Sequence, residues 1–434
     1  MTTFNTLNPT DIYDFPKHWK KNKFYNLFSV VKDISKNVDN EVVLSLTQKG
    51  IVIKDIESNK GQIASNYEKY TKVKLNDIVF NPMDLISGWV DIVKESGVIS
   101  PSYLSFRPNE NKVNPFFALF LFQTLYVNKM LFNFGKGVAT HDGFGRWSIS
   151  DDIIKKTNIF LPDINTQNKI VNYLEQKTKI IDTLTEKLQK KIELLKEQRT
   201  SLINHCVTKG LDPNVEKKDS NVDWIGDIPK HWIISKFKFV STLYTGNSLN
   251  ENQKLQYQSK NLNDIPYIAS KDIDLDRQTI NYNNGLRIPI KNNQFKIAPI
   301  GSFLMVVEGG SAGRKLAFLE EEVCFVNKLC AFYSTENTKF QYYFVQSQNY
   351  QNKFKSTISG LIGGVSISNL KNFELPLPPL LEQEEIVKYL EDKTRLIDQK
   401  VFFEEKRIEL LKEYRQSLIS SVVTGKVHIT KEML

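Results

Sequence analysis

The sequence predicts an α+β protein. It reads as two globular domains with mixed, twisted sheets, joined by two long helices that pair as an antiparallel coiled coil, with an internal pseudo-two-fold repeat. Three observations carry this prediction. The same sequence frame occurs twice, each copy ends in a long apolar heptad stripe, and short β-like runs lie between each copy's entrance and its helix.

The repeat comes first. Asp14-Phe-Pro-Lys-His-Trp19 returns as Asp227-Ile-Pro-Lys-His-Trp232, and Phe24 and Phe237 keep the same offset. LPDINTQNKIVNYLEQKTKIID, from Leu161, returns as LPPLLEQEEIVKYLEDKTRLID, from Leu377. KIELLKEQRTSLI, from Lys191, returns as RIELLKEYRQSLI, from Arg407. The offset is 213 at the start and 216 at the end, so each half is one complete copy of the plan. His18 and His231, repeated together with Trp19 and Trp232, read as a structural corner at each entrance. Between the matching ends, residues 25–158 and 238–374 share little beyond coarse layout. A copied frame holding two unlike inserts implies two similar tasks on two different targets.

Within the first insert, residues 41–46, 50–54 and 77–80 read as strands. Residues 266–268, 301–307 and 323–325 do so in the second. Residues 116–132 and 340–350 are the matching helices. The first of these is too short and too polar to span a bilayer and reads as buried.

Leu174, Ile181, Leu188, Leu195 and Leu202 recur every seven residues, with Ile170 and Leu184 on the neighbouring seam position. Lys177 and Lys191 interrupt that second position. The second copy gives Leu390, Ile397, Leu411 and Leu418, with Glu404 breaking the run beside Val401 and Ile408. Pro162 and Pro378-Pro379 lie just upstream, where helices start. At 1.5 Å per residue the first helix spans roughly 60 Å. Neither stripe can stay exposed, and each is the other's nearest like partner, which favours an antiparallel pair. The division that follows is a first domain over 1–160, a helix over 161–208 and a polar linker over 209–223. A second domain over 224–376, a helix over 377–425 and a tail over 426–434 complete it.

The chain has 434 residues, 41% hydrophobic and 25% charged, which excludes wholesale disorder. Cys206, Cys324 and Cys330 cannot form a disulfide framework, and their spacing does not fit a zinc knuckle. They are expected as small buried thiols in a reduced, cytoplasmic setting. The opening residues show no basic stretch followed by an apolar one, so no secretory leader is expected. A net charge of +9 permits nucleic-acid binding without proving it.

Motifs for catalysis fail on inspection. Asn81-Pro-Met-Asp84 lacks the second proline and the aromatic residue with which amino-methyltransferases hold a flipped base. Gly309-Gly310-Ser311-Ala312-Gly313-Arg314-Lys315 is not a P-loop, because Arg314 intervenes and no Ser or Thr follows the lysine. It can still bring backbone close to DNA and aim Arg314 at a guanine edge or a phosphate. Gly135-Lys136-Gly137 and Gly143-Phe-Gly-Arg146 offer a similar loop in the first half, and Arg107 joins this basic set. His141-Asp142 has no recognisable nucleophile or third partner. No catalytic residue and no metal ligand is expected.

The order of these elements resembles the specificity subunit of type I restriction-modification systems. The resemblance rests on Trp224-Ile-Gly-Asp-Ile-Pro-Lys-His-Trp232 and its first-copy counterpart. It rests also on the Gln-x-x-Ile-Val-x-Tyr-Leu helix starts behind Pro162 and Pro378, and on the Ser-Leu-Ile ends at 201 and 417. Ser100-Pro-Ser-Tyr103 and the loop from Gly309 to Arg314 are similar to recurrent elements of that family's target-recognition domains. The resemblance covers essentially the whole chain. It implies a non-catalytic DNA-binding chain in which each domain reads one half of a split, asymmetric duplex site, and the helices fix the gap. It implies two modification subunits that bring S-adenosylmethionine and methylate adenine, and restriction subunits that use ATP and Mg2+ to translocate and cut DNA. This chain itself then holds no cofactor and touches no membrane. Apolar residues off the main seam, Ile192 and Ile203 on the first helix and Ile408 and Ile419 on the second, are expected to dock the modification subunits. Tyr173 and Tyr389 join them near the helix starts. A coiled-coil scaffold binding only protein is the alternative, distinguished by the absence of salt-dependent DNA affinity.

Overall fold

The structure, a computed structural model, describes residues 10, 14–35, 41–55, 67, 69–86, 88–139, 145–259, 261–334, 336–360 and 363–430. The chain forms two compact units. One comprises Met1–Leu188 with Lys406–Leu434, the other Gln189–Glu405.

The first unit holds a four-stranded sheet in the order Phe28–Val30, Leu104–Pro108, Ile78–Phe80, Val90–Ile92. A second sheet runs Gly50–Ile53, Val43–Thr47, Gly97–Ile99, Thr71–Val73, and its central pair is parallel. The second unit repeats both. Its sheets run Ser241–Thr245, Leu329–Ser334, Phe303–Val306, Leu316–Phe318 and Arg287–Ile288, Ile265–Ile268, Val323–Phe325, Ile297–Ala298. Its one parallel pair falls at the same place, between Ile265–Ile268 and Val323–Phe325. Strand order is therefore duplicated inside the two inserts whose sequences look unlike. The β-like runs at 41–46, 50–54 and 77–80 are strands within a residue or two, as are those at 266–268, 301–307 and 323–325.

The expected helix at 116–132 runs Pro115–Val127. Asn114 caps it by accepting the amides of Phe116 and Phe117, and Pro115 fits the first turn, where no amide is needed. Being apolar on all sides, it is enclosed by the first unit's core. The expected single helix at 340–350 is instead two, Thr338–Phe344 and Gln348–Thr357. Ser347 separates them, because its side chain accepts the amide of Tyr350 and starts a new helix.

The long helices are Ile164–Lys209 and Leu380–Val423. In the second unit Lys191 meets Glu404 at 2.6 Å and Arg199 meets Asp398 at 3.0 Å, so one index rises while the other falls and the pairing is antiparallel. In the first unit Asp182 receives a two-pronged contact from Arg415, at 2.9 and 3.2 Å. Each unit finishes its core with the end of the helix that began in the other. Ile419, Val422 and Val423 lie in the first unit's core, and Ile203, Cys206 and Val207 in the second's.

Those helix ends dock on the repeated corner. Gly425 has φ +75°, and a Cβ there would stand 2.4 Å from Pro16 Cγ. Gly210, with φ +78°, lies against Trp232 and Pro229. Trp19 and Trp232 are both buried, and the His18 ring stacks on His428 with centroids 5.9 Å apart. The linker carries a strand, since Lys217–Asp219 pairs antiparallel with Asp227–Pro229.

The repeated glutamine explains why its motif recurs. Gln167 is fully buried, donates to Pro162 O at 2.9 Å and Lys112 O at 3.3 Å, and accepts the Asn114 amide at 2.9 Å. Gln383 donates to Pro378 O at 2.9 Å, while its Oε1 has no partner among the described residues. Each staples the strand's end to the helix's first turn. Gln167→Ala removes the bonds to Pro162 O, Lys112 O and Asn114 N and should cost about 1–3 kcal/mol in urea denaturation, with Gln383→Ala costing less. Equal losses would show that the extra bonds of Gln167 contribute nothing.

Candidate nucleic-acid interface

Both units build the same double loop on this frame. In the first, residues 81–89 leave the strand Ile78–Phe80 and are tied by backbone bonds to the hairpin of Lys136–Ala139 with Gly145–Ser148. Leu85 N donates to Trp147 O at 2.7 Å, and Ile149 N to Pro82 O at 2.8 Å. In the second, residues 307–315 are tied to residues 363–365 in the same way. Gly309 N donates to Gly363 O at 2.8 Å, and Val365 N to Val307 O at 3.0 Å.

The chemistry on the two frames differs. In the first unit, Asn81-Pro-Met-Asp84 is a pair of tight turns, with Met83 N on Asn81 Oδ1 and Ile86 N on Asp84 Oδ1. The Tyr126 hydroxyl donates to the Asp84 carbonyl, and burial, reinforced by the Asp84 charge, holds its proton more firmly than in free tyrosine. The loop is thus rigid and turns Met83 and Ile86 outward, each about half exposed. Sequence reading missed this apolar pair, since only the turn geometry shows that both face solvent. Lys136 opens the hairpin and is exposed. Arg146 lies opposite Val138 in the hairpin register, but its side chain is outside the described residues, as are His141-Asp142 and Gly143-Phe144.

In the second unit Arg314 is exposed and donates through Nη2 to Gly310 O at 2.7 Å. Lys315, half-buried, donates to Ser270 O at 3.1 Å. Gly309 has φ +95°, and Gly313 has φ +75° with Phe354 packed against its Cα side, so both positions require glycine. Arg107 is placed differently from the other basic residues. Its guanidinium grips Asp77 with two 2.7 Å bonds, Asp77 is fully buried, and that hydrogen bond raises the arginine's affinity for its proton.

The residues expected to dock partners are mostly turned inward. Ile192, Ile203, Ile408 and Ile419 are 9%, 1%, 8% and 6% exposed, because Ile192 and Ile408 occupy the seam itself and the other two lie in the unit cores. Tyr173 is buried, while its counterpart Tyr389 is 38% exposed. The exposed apolar residues at equivalent positions of the two helices are Ile180 with Leu396, at 62% and 49%, and Leu194 with Leu410, at 53% and 62%.

Among the described residues no cluster of His, Cys, Asp and Glu side chains could hold a metal ion, and no helix is long and apolar enough to cross a membrane. The three cysteines are buried thiols; burial pushes Cys206 up to about 11 and Cys324 up to about 12.

Comparison with known proteins gives one consistent result. The type I restriction modification DNA specificity domain matches twice, at residues 16–194 and 229–412. The chain is 22% identical to the specificity subunit described for type I restriction enzyme MjaX of Methanocaldococcus jannaschii, over 97% of this chain and 96% of that one. It is 28% identical to the EcoKI specificity subunit of Escherichia coli K12, over 46% of this chain and 44% of that one. Among solved structures, a chain from a study of type I R-M system assembly has a TM-score of 0.72 at 15% identity, covering 96% of this chain and 100% of that chain. The HsdS subunit of Thermoanaerobacter tengcongensis has a TM-score of 0.50 at 15% identity over the same shares. These two likenesses concern the fold.

The contrast between Arg107 and Lys136 is testable. Arg107→Ala removes both guanidinium bonds from the buried Asp77 carboxylate, leaving it the Lys74 amide, and should lower stability by about 1–3 kcal/mol in urea denaturation. Lys136→Ala should change it by less than about 0.5 kcal/mol. A reversed order would mean that Arg107 is held for something other than Asp77.

Proposed function

The chain belongs to the type I restriction modification DNA specificity family, whose members are the non-catalytic subunits giving such systems their DNA sequence specificity, and we propose that each of its two units reads one half of a split duplex site. The observation that supports this most directly is the double loop, set on the same strand order twice with different side chains each time. Met83 and Ile86 suit contact with thymine methyl groups, and Arg314 suits a guanine edge or a phosphate. Lys136 and Arg146 supply positive charge on the first unit's hairpin. The paired helices set the gap between the half-sites. Acting on host DNA, the assembly works in the cytoplasm.

The partners in this reading are two modification subunits carrying S-adenosylmethionine and restriction subunits using ATP and Mg2+. The exposed pairs Ile180 with Leu396 and Leu194 with Leu410 offer the same apolar surface twice, which fits two copies of one partner. These four replace the inward-facing isoleucines as docking residues. A scaffold binding only protein gives no reason for two unlike loops on one frame.

Exchanging residues 25–158 for another member's block should alter one half of the methylated motif only, read by methylome sequencing of a host expressing the chain with its modification subunits. Both halves changing would overturn the division of labour. Separately, Ile180→Asp combined with Leu396→Asp should leave the chain folded but reduce bound modification subunits from two toward none in light scattering. A carboxylate buried at each contact costs several kcal/mol. An intact assembly would place the docking surface elsewhere.

A further inference from the structure

Gly310 is set apart by elimination. The other glycines whose surroundings are described each have a reason in the chain itself. Gly309, Gly313, Gly360 and Gly363 have positive φ, while Gly88, Gly97, Gly135 and Gly246 lack room for a Cβ. Gly310 has neither constraint. Its φ lies outside the left-handed range, and a Cβ there would meet nothing within 4 Å.

Nor is it there for flexibility. On one side, Gly309 N is held by Gly363 O, and on the other Ala312 N by Gly309 O and Gly313 N by Val306 O. The carbonyl of Gly310 itself accepts from Arg314 Nη2. Among the described residues, no acceptor takes the amide hydrogens of Gly310 or Ser311. Among the described residues, two adjacent amides without an acceptor, an open Cα and a guanidinium bonded to the same loop therefore stand together. Consecutive amides beside a cation are anion-binding chemistry, and an absent side chain lets a bulky anion's oxygens reach them.

We infer that Gly310 and Ser311 hold a backbone phosphate of the DNA duplex through their amides, with Arg314 alongside, so that position 310 is a point of closest approach between the second unit and its half-site. This rests on the reading of the chain as a DNA specificity subunit. The contact positions the unit on the duplex and does not itself read a base. A side chain at 310 would hold the phosphate away from both amides without disturbing the loop.

The test uses the full chain with its modification subunits and a duplex bearing the motif found in the wild-type methylome. Gly310→Ala, Gly310→Val and Gly310→Leu should keep the wild-type melting temperature. Their affinity should fall in step with side-chain size, by about tenfold or more for leucine, roughly uniformly across motif variants. Arg314→Ala should reduce the slope of log affinity against log salt by about one. Unchanged affinity in Gly310→Leu overturns the inference alone, leaving the specificity reading intact. Relaxed selectivity at one base pair, with affinity for other sequences unchanged, also overturns it by making the contact a base contact. A melting temperature that falls with affinity even in Gly310→Ala assigns the glycine a structural role. Failure of the wild-type complex to bind duplex DNA at all removes the specificity reading and this inference with it.

Discussion

One ion pair is made twice, and it marks the constraint on which the structure depends. Asp182 with Arg415 in the first unit and Arg199 with Asp398 in the second join residues that correspond through the repeat. Exposed pairs of this kind are worth about 1 kcal/mol or less, so they record the register of the antiparallel helices more than they enforce it. The energy lies in the apolar residues beneath. Val422 and Val423 are fully enclosed in the first unit, as is Val207 in the second, and each such side chain contributes about 1.5–3 kcal/mol on burial. Each unit's core is therefore incomplete without the far end of the helix that started in the other.

The repeat departs from itself in the seam at Glu404. Glu404 is buried there and paired with Lys191, whereas the corresponding positions of the other copy are Leu188 and Arg407. Reading the sequence, Glu404 looks like an interruption of the stripe. In the structure it is a seam residue whose carboxylate is answered from across the pair. The facing position is a cation in both copies, Lys191 in one and Arg407 in the other, while the carboxylate is present in one copy alone.

Much of this is legible in the sequence itself. The frame, the two long helices and their antiparallel pairing follow from motif repetition and heptads, because those signals are local and periodic. The corner at Trp19 and Trp232 was legible for the same reason. What was hidden lay in the inserts. Strand order is set by pairing at long sequence separation, which leaves alternation and turns on the page but no trace of which strand neighbours which. The seam assignment of Ile192 and Ile408 was missed for a different reason. Strict counting by sevens from Leu188 points to Leu195, while the buried face steps by four to Ile192, as an α-helix of 3.6 residues per turn does without strong supercoiling. In the candidate interface, Arg314 and its glycines were visible as a motif. Arg107 was grouped with them because charge alone does not reveal that Asp77, at the start of the neighbouring strand and 30 residues earlier in the chain, is buried against it.

The way the double loops are fastened explains how unlike readers can share a frame. Leu85 N to Trp147 O and Gly309 N to Gly363 O are bonds between main-chain atoms, as are Ile149 N to Pro82 O and Val365 N to Val307 O. Main-chain bonds ask little of the side chains they carry, beyond glycine where φ is positive, as at Gly309. The residues that face solvent from these loops, Met83 and Ile86 in one unit and Arg314 in the other, lie outside that fastening apart from Arg314's bond to Gly310 O. Exchanging them alters surface chemistry while the strands, the hairpin links and the helix staples at Gln167 and Gln383 stay as they are. A protein built this way can change what it recognises by changing a few exposed side chains, and it can do so in one unit without touching the other.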